Sequence, residues 1–209
     1  MSSDTAGYGW NTSEAPHTCA YLLPEILATL RRVGSKRILD LGCGNGNLCK
    51  QLADLGFDVV GVERDAEGIE RARRLAPQVR FHRHAVEDDP ALLAGAEAAF
   101  DAVISTEVVE HLFSPRRLPR YAHAVLKDGG HLIVTTPYHG YIKNLALSLA
   151  DRWDHHHTVG WEGGHIKFFS RATLAQLLHE NGFDVVDFRG VGRVPWLWKS
   201  MIVTARKRC

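Results

Sequence analysis

A doubly wound α/β fold is what this 209-residue sequence predicts, and three observations carry the prediction. From Arg37 onward, short apolar runs alternate with segments of helical periodicity. The helical segments are long enough to cross back between parallel strands. The first apolar run also ends in a glycine-rich loop. Strands joined by helices of that length form parallel βαβ units with right-handed crossovers, and chains of such units belong to the doubly wound class.

Taken in order, "RILDLG" reads as the first strand, and "NLCKQLADLG" as a helix with Leu48, Leu52 and Leu55 at helical spacing and Gly56 as its stop. "FDVVGVE" is a second buried strand. "DAEGIERARRLA" is a second helix with Asp65 as N-cap. "VRFHRHA" is a third strand and "DPALLAGA" a short helix. "FDAVIST" is a fourth strand, "SPRRLPRYAHAVLKDGG" a helix ended by glycines, and "HLIVTTP" a fifth strand. Residues 138–168 break the rhythm with an insertion rich in His and Trp, and insertions of that length carry function when they are ordered. "SRATLAQLLHENG" resumes with Ser170 as N-cap and Gly182 as stop. "FDVVDFRGVG" and "WLWKSMIVTARK" then read as a hairpin. No internal repeat or low-complexity tract interrupts this order.

Composition excludes several classes. Hydrophobic residues make up 45% and charged residues 23%, ordinary values for a soluble globular chain, and the length suits one domain with an insertion. A net charge of +1 supplies no global field for nucleic acid or an anionic membrane, and "ARKRC" reads as a short solvated end. No apolar run approaches 18 residues, and "MSSDTAGYGWNTSEAPHT" lacks the layout of a signal peptide. Cys19, Cys43, Cys49 and Cys209 show no CxxC spacing. A reducing cytoplasm is expected, with Cys43 as a packing residue among glycines.

"ILDLGCGNGNL" places Gly42, Gly44 and Gly46 between a strand and a helix, where the chain turns tightly and a ligand approaches the backbone. Glu63 ends the second strand, where an acid can take a ribose hydroxyl pair. The spacing is GxGxG rather than GxGxxG, and Asp40 lies two residues before the first glycine. A carboxylate there repels a pyrophosphate and favours a cation, such as the ammonium and sulfonium of S-adenosylmethionine. This argues for a methyl donor over NAD and hydride transfer.

"ILDLGCGNG", "VVGVERD", "AVEDD", "FDAVISTEVVEHL", "LKDGGHLIVTTP" and "NGFDVV" together make residues 36–205 resemble the class I S-adenosylmethionine-dependent methyltransferases. The resemblance implies a seven-stranded Rossmann-like sheet with its last strand antiparallel and helices on both faces. It implies that Asp40, Gly42 and Gly44 hold the methionine part and Glu63 the ribose, with Asn45 and Arg64 also binding the cofactor. Val86 and Glu87 would border adenine, with Ser105 and Thr106 as the cofactor floor. It also implies that residues 1–35, with Tyr8, Trp10 and His17, form a helical lid over a methyltransferase domain at 36–209.

Within "STEVVEHL", Glu107, Glu110 and His111 are spaced i, i+3, i+4 and share a face if the segment is a helical turn. Two adjacent carboxylates with an imidazole suit a divalent ion. "ExxEH" resembles the ubiquinone-pathway O-methyltransferases, whose usual N-terminal pattern is missing here, and the small-RNA 3′-terminal 2′-O-methyltransferases. Both pair such a cluster with a later histidine, here matched by His165. The expected metal set is therefore Glu107, Glu110, His111 and His165, with Mg, Mn, Zn, Fe and Co not distinguished. Glu107, His111 and His165 are the catalytic candidates, and either histidine could instead serve as a metal-free general base.

Tyr138, His139 and Trp161 are expected to meet the substrate, and Lys143, Trp153 and Trp161 to form a lid. His155–His157 read as a solvated tract, and the aromatics of "GRVPWLWKSM" as one face of a core strand. The expected function is metal-assisted O-methylation of a small phenol- or quinol-like molecule by a monomer or homodimer. RNA 2′-O-methylation, N- or C-methylation of a small natural product, and a non-catalytic cofactor-binding regulator are the alternatives. The near-neutral charge disfavours nucleic acid as partner.

Overall fold

The structure is a computed structural model that describes residues 17–157 and 164–208, apart from the side chain of His155. Trp161, Tyr8 and Trp10 lie outside the described residues. After helix α1 (Cys19–Arg32), the chain alternates β1 (Arg37–Leu41), α2 (Asn47–Asp54), β2 (Asp58–Glu63), α3 (Ala66–Leu75), β3 (Arg80–Arg83), α4 (Ala91–Ala96) and β4 (Phe100–Thr106). A single 3₁₀ turn at Val109–His111 leads to α5 (Arg117–Val125) and β5 (Leu126–Pro137). The insertion supplies α6 (Tyr141–Leu149) and α7 (Trp153–His157). α8 (Arg171–Glu180), β6 (Phe183–Val191) and β7 (Ser200–Lys207) complete the domain.

Local signals set most of these ends. Asp65 caps α3 by accepting the Glu67 amide at 3.1 Å, and Ser170 caps α8 in a reciprocal box with Thr173. Gly56 and Gly182 take left-handed φ values of 89° and 90° just past α2 and α8. The fifth helix differs from the expectation. It stops at Val125, and Lys127–Gly130 begin the next strand instead. Leu126 already pairs with Phe100, and a register shift with Gly129 at φ 71° absorbs the glycines. A glycine pair that reads as a helix stop is here a bulge at a strand start.

The sheet order is β3-β2-β1-β4-β5-β7-β6, seven strands, with β7 antiparallel to both neighbours. Alternate strand residues feed two cores. Ile38, Val59, Ala102, Ile104 and Ile133 pack with α1, α2 and α3, while Leu39, Val60, Val103, Leu132 and Val134 pack with α4, α5 and α8. The period-2 alternation of a strand thus separates the faces. The order reverses between β1 and β4, so the carboxyl ends of β1, β2, β4 and β5 open on one crevice.

One glycine on that rim is needed for the fold as well as the site. Gly46 has φ 77° as N-cap of α2, and a Cβ there would lie 2.6 Å from the Ala72 Cβ and 2.9 Å from its Cα. Gly46→Ala combines a left-handed alanine with an α2–α3 clash, about 2–5 kcal/mol together. The melting temperature should fall by roughly 5–15 °C. A melt within 2 °C of the parent would show that the two helices yield freely.

Candidate active site

The crevice is a cavity of about 1460 Å³ at the carboxyl ends of the parallel strands. Single-ligand pockets run to roughly 1,000 Å³, so this one has room for two molecules. At one end stand Asp40, Gly42, Asn45, Glu63, Val86 and Glu87, with Arg64 and Thr106 also on the wall. His17 and the first turns of α1 line the same cavity, while Ile26 and Leu30 on that helix are fully buried.

Asp40 is 1% exposed. Its Oδ2 accepts the Cys49 thiol at 3.2 Å, and its Oδ1 has no protein partner. Burial pushes its carboxyl up to about 7, with Glu63 adding to the rise. A nearby cation reverses that cost, so the group fits a positively charged ligand. Glu63 accepts the Gly44 amide with Oε2 and the Asp65 amide with Oε1, both at 2.9 Å. Burial raises its pKa, and those amides pull it back. Sequence spacing gave no sign of the thiol contact or of Glu63 as the clasp of the glycine loop. Gly44 and Ser105, two expected cofactor contacts, are not on the cavity wall. Gly44 turns its amide to Glu63, and Ser105 donates its hydroxyl to the Leu41 carbonyl at 2.7 Å, joining β1 to β4.

Ligand atoms of Glu110, His111 and His165 lie within 4.8 Å of one another. Ile166 and Lys167 both donate their amides to the Glu110 carbonyl at 3.0 Å, and this pairing sets the two imidazoles 4.9 Å apart. Glu110 is 1% exposed and neither carboxylate oxygen has a hydrogen-bond partner. Burial, then the Glu107 charge, drives its pKa well up. The Thr136 hydroxyl beside it, itself outside hydrogen-bonding geometry, lowers its pKa as the smallest of the influences. His111 Nδ1–H donates a hydrogen bond to the Gly164 carbonyl at 3.1 Å, a contact that fixes a ligand's tautomer. Two orphaned buried oxygens beside two imidazoles fit a divalent cation. Burial, His111 and the neighbouring cations hold His165 down at about 4.

Glu107, expected as the fourth ligand, stands outside that group. The segment is a 3₁₀ turn beginning after it, and Glu107 itself takes φ 54° at the strand end. The helical face assumed from the spacing is therefore never formed. Its carboxylate instead accepts Thr135 Oγ1 at 2.8 Å and Ser200 Oγ at 3.3 Å, and burial raises it to about 7. It still lines the cavity.

The insertion also corrects the expectation. Tyr138 and His139 are buried behind the wall rather than on it. Tyr138 packs edge-on to Trp198 at 5.1 Å, and His139 stacks on His157 at 5.4 Å. His157 is buried against Trp153 and Phe168, while His156 faces the cavity. Consecutive residues of α7 point about 100° apart, so His157 turns to the core while the exposed His156 borders the cavity. Trp196 sits exposed in the turn before β7, at φ 69°, and Trp198 covers Gly190. Lys143, His156, Arg193 and Lys199 also line the cavity. No sequence signal singled out Arg193 or Lys199.

The family model "Methyltransferase domain" matches residues 12–187. The chain belongs to the S-adenosylmethionine-dependent methyltransferases. It is 33% identical over 181 residues to a ubiquinone biosynthesis O-methyltransferase of Ruegeria pomeroyi, covering 82% of this chain and 70% of that one. It is 34% identical to the enzyme of the same name from Cereibacter sphaeroides, covering 78% and 66%. The chain thus spans about two thirds of these methyltransferases' length. The magnesium protoporphyrin IX methyltransferase of Synechocystis, solved with bound S-adenosylhomocysteine, shares the fold at 17% identity. Its TM-score is 0.67, covering 88% of this chain and 81% of that one. Among the described residues of this methyltransferase, no helix is long and apolar enough to cross a membrane.

Proposed function

We propose that this methyltransferase transfers a methyl group to the oxygen of a small phenol- or quinol-like molecule with the help of a divalent metal ion. The observation that carries the reading is the buried Glu110 carboxylate, both oxygens without a partner, facing His111 and His165 beside the cavity. The relatives named as O-methyltransferases favour oxygen as acceptor.

Asp40 and Glu63 would hold the donor, Asp40 through its unpartnered Oδ1, with Asn45, Arg64, Val86, Glu87 and Thr106 around it. Glu110, His111 and His165 would hold the ion. When bound, the donor supplies an electrophilic methyl group, and the ion lowers the pKa of a hydroxyl beside it. The chain's own part is orientation and proton handling. In-line methyl transfer depends on holding acceptor oxygen and methyl carbon in near-attack geometry, and one cavity with room for both molecules supports that reading. His165, on the cavity wall, would take the acceptor proton only without an ion, because a metal-bound imidazole has no free lone pair. The Glu107 charge acts on both Glu110 and Lys143. The three described cysteines are free thiols, which suits a reducing cytoplasm; we place the protein there as a monomer or homodimer.

The test is formation of S-adenosylhomocysteine and O-methylated product from catechol, with protein stripped by EDTA and then resupplied with Mg, Mn or Zn. Turnover restored by metal is expected. Undiminished turnover in excess EDTA removes the ion, and product from an RNA 3′ end with none from catechol replaces the substrate.

A further inference from the structure

Cations line the cavity as well as the acids Asp40 and Glu63: Lys143, Arg193 and Lys199 are on its wall. Among the described residues none of these three cations has a carboxylate within ion-pair distance. Lys143 is the unusual one. It is 5% exposed, and its Nζ donates one hydrogen bond, to the Lys199 carbonyl at 3.4 Å. An ammonium has three donors to satisfy, and burying it without a counter-charge is costly.

Resting on the reading of this space as the acceptor site, we propose that Lys143, backed by Arg193 and Lys199, selects an acceptor that carries a carboxylate on its hydroxylated ring. Arg193 and Lys199 are exposed and screened by water, so the buried Lys143 ammonium sets the balance at one negative charge, which favours a carboxylate over a phosphate dianion. Long-range attraction from Glu107 keeps the amine charged, against burial and Arg193, which draw its pKa down to about 8. The neighbouring His139 and His156 are pushed down to about 3 and 4 by burial and then by Lys143 itself. They are uncharged at neutral pH, so Lys143 is the buried cation of that wall. It would act as a specificity-determining residue, recognising a group distant from the reacting oxygen.

The test compares 3,4-dihydroxybenzoate with its uncharged methyl ester by calorimetry on protein saturated with S-adenosylhomocysteine. The parent should bind the acid at least about tenfold more tightly, the effect of one charge-assisted contact. Lys143→Met should abolish that preference while leaving S-adenosylhomocysteine affinity within about threefold. Arg193→Ala, an exposed change that keeps the fold, should reduce the preference and serves as the readout if Lys143→Met does not fold. Equal binding of acid and ester by the parent overturns the proposal and leaves hydroxyl methylation standing. So does an undiminished preference in Arg193→Ala, where Lys143→Met does not fold. A large loss of S-adenosylhomocysteine affinity in Lys143→Met assigns the lysine to the donor and also overturns it. Preferential binding of the acid without methyl transfer to it removes the O-methylation reading and keeps the role of Lys143.

Discussion

His165→Ala is expected to lower kcat/KM for a catechol acceptor by roughly 100- to 1000-fold, the several kcal/mol that a Lewis acid contributes to such a step. Glu110→Gln should do the same, since it keeps the shape of the side chain and removes its charge. Both variants should lose the response to added metal that the parent shows after EDTA treatment. They should hold S-adenosylhomocysteine as tightly as the parent, because neither residue belongs to the glycine loop or strand ends assigned to the donor. Glu110→Gln should also be no less stable than the parent. Its carboxylate is buried with two orphaned oxygens, a destabilising arrangement in the metal-free protein. That pairing of lost turnover with unharmed stability separates a metal ligand from a structural acid. Turnover within threefold of the parent in both variants would remove the cluster from the chemistry.

The second large effect belongs to Glu63. Glu63→Ala should weaken S-adenosylhomocysteine binding by roughly 100- to 10,000-fold, the loss of two hydrogen bonds to a charged group at about 1.5–3 kcal/mol each. The variant should also melt lower, since the Gly44 and Asp65 amides lose their acceptor. Glu63→Gln keeps one oxygen for those amides and so should recover much of the stability while remaining weak in binding. Calorimetry with S-adenosylhomocysteine and a thermal melt of both variants check the two parts separately. Unchanged affinity in Glu63→Ala would mean that the acid only ties the loop, and the donor assignment at this end would fall with it.

Much of the fold was legible because its signals are short-range. Strand alternation, helical spacing, the Asp65 and Ser170 caps and the left-handed glycines after α2 and α8 each depend on a few consecutive residues, and all of them recur in the structure. The donor end was legible for the same reason. The glycine loop and Glu63 sit at the ends of adjacent strands, and strand pairing alone brings them together.

The acceptor end was legible only in outline. Glu107 and Glu110 are three residues apart, yet a single positive φ at Glu107 sends their carboxylates to different partners, and spacing carries no information about that dihedral. Lys143 and His157 look like surface residues by type and are buried by the packing of the insertion. Tyr138 and His139 look like substrate contacts by position and are withdrawn behind the wall by Trp198 and His157.

What the amino-acid order determined by itself was the class of chemistry: a sheet with acids at its mouth, built by local periodicity and close-range turns, suited to a cationic methyl donor. What only the tertiary structure decided was which side chains meet. His165 reaches His111 across more than fifty residues because two backbone amides pair with one carbonyl, and Lys143, Arg193 and Lys199 share a wall although nothing in their spacing relates them. Contacts between distant segments follow from backbone hydrogen bonds and packing volume, which exist only once the chain has closed on itself.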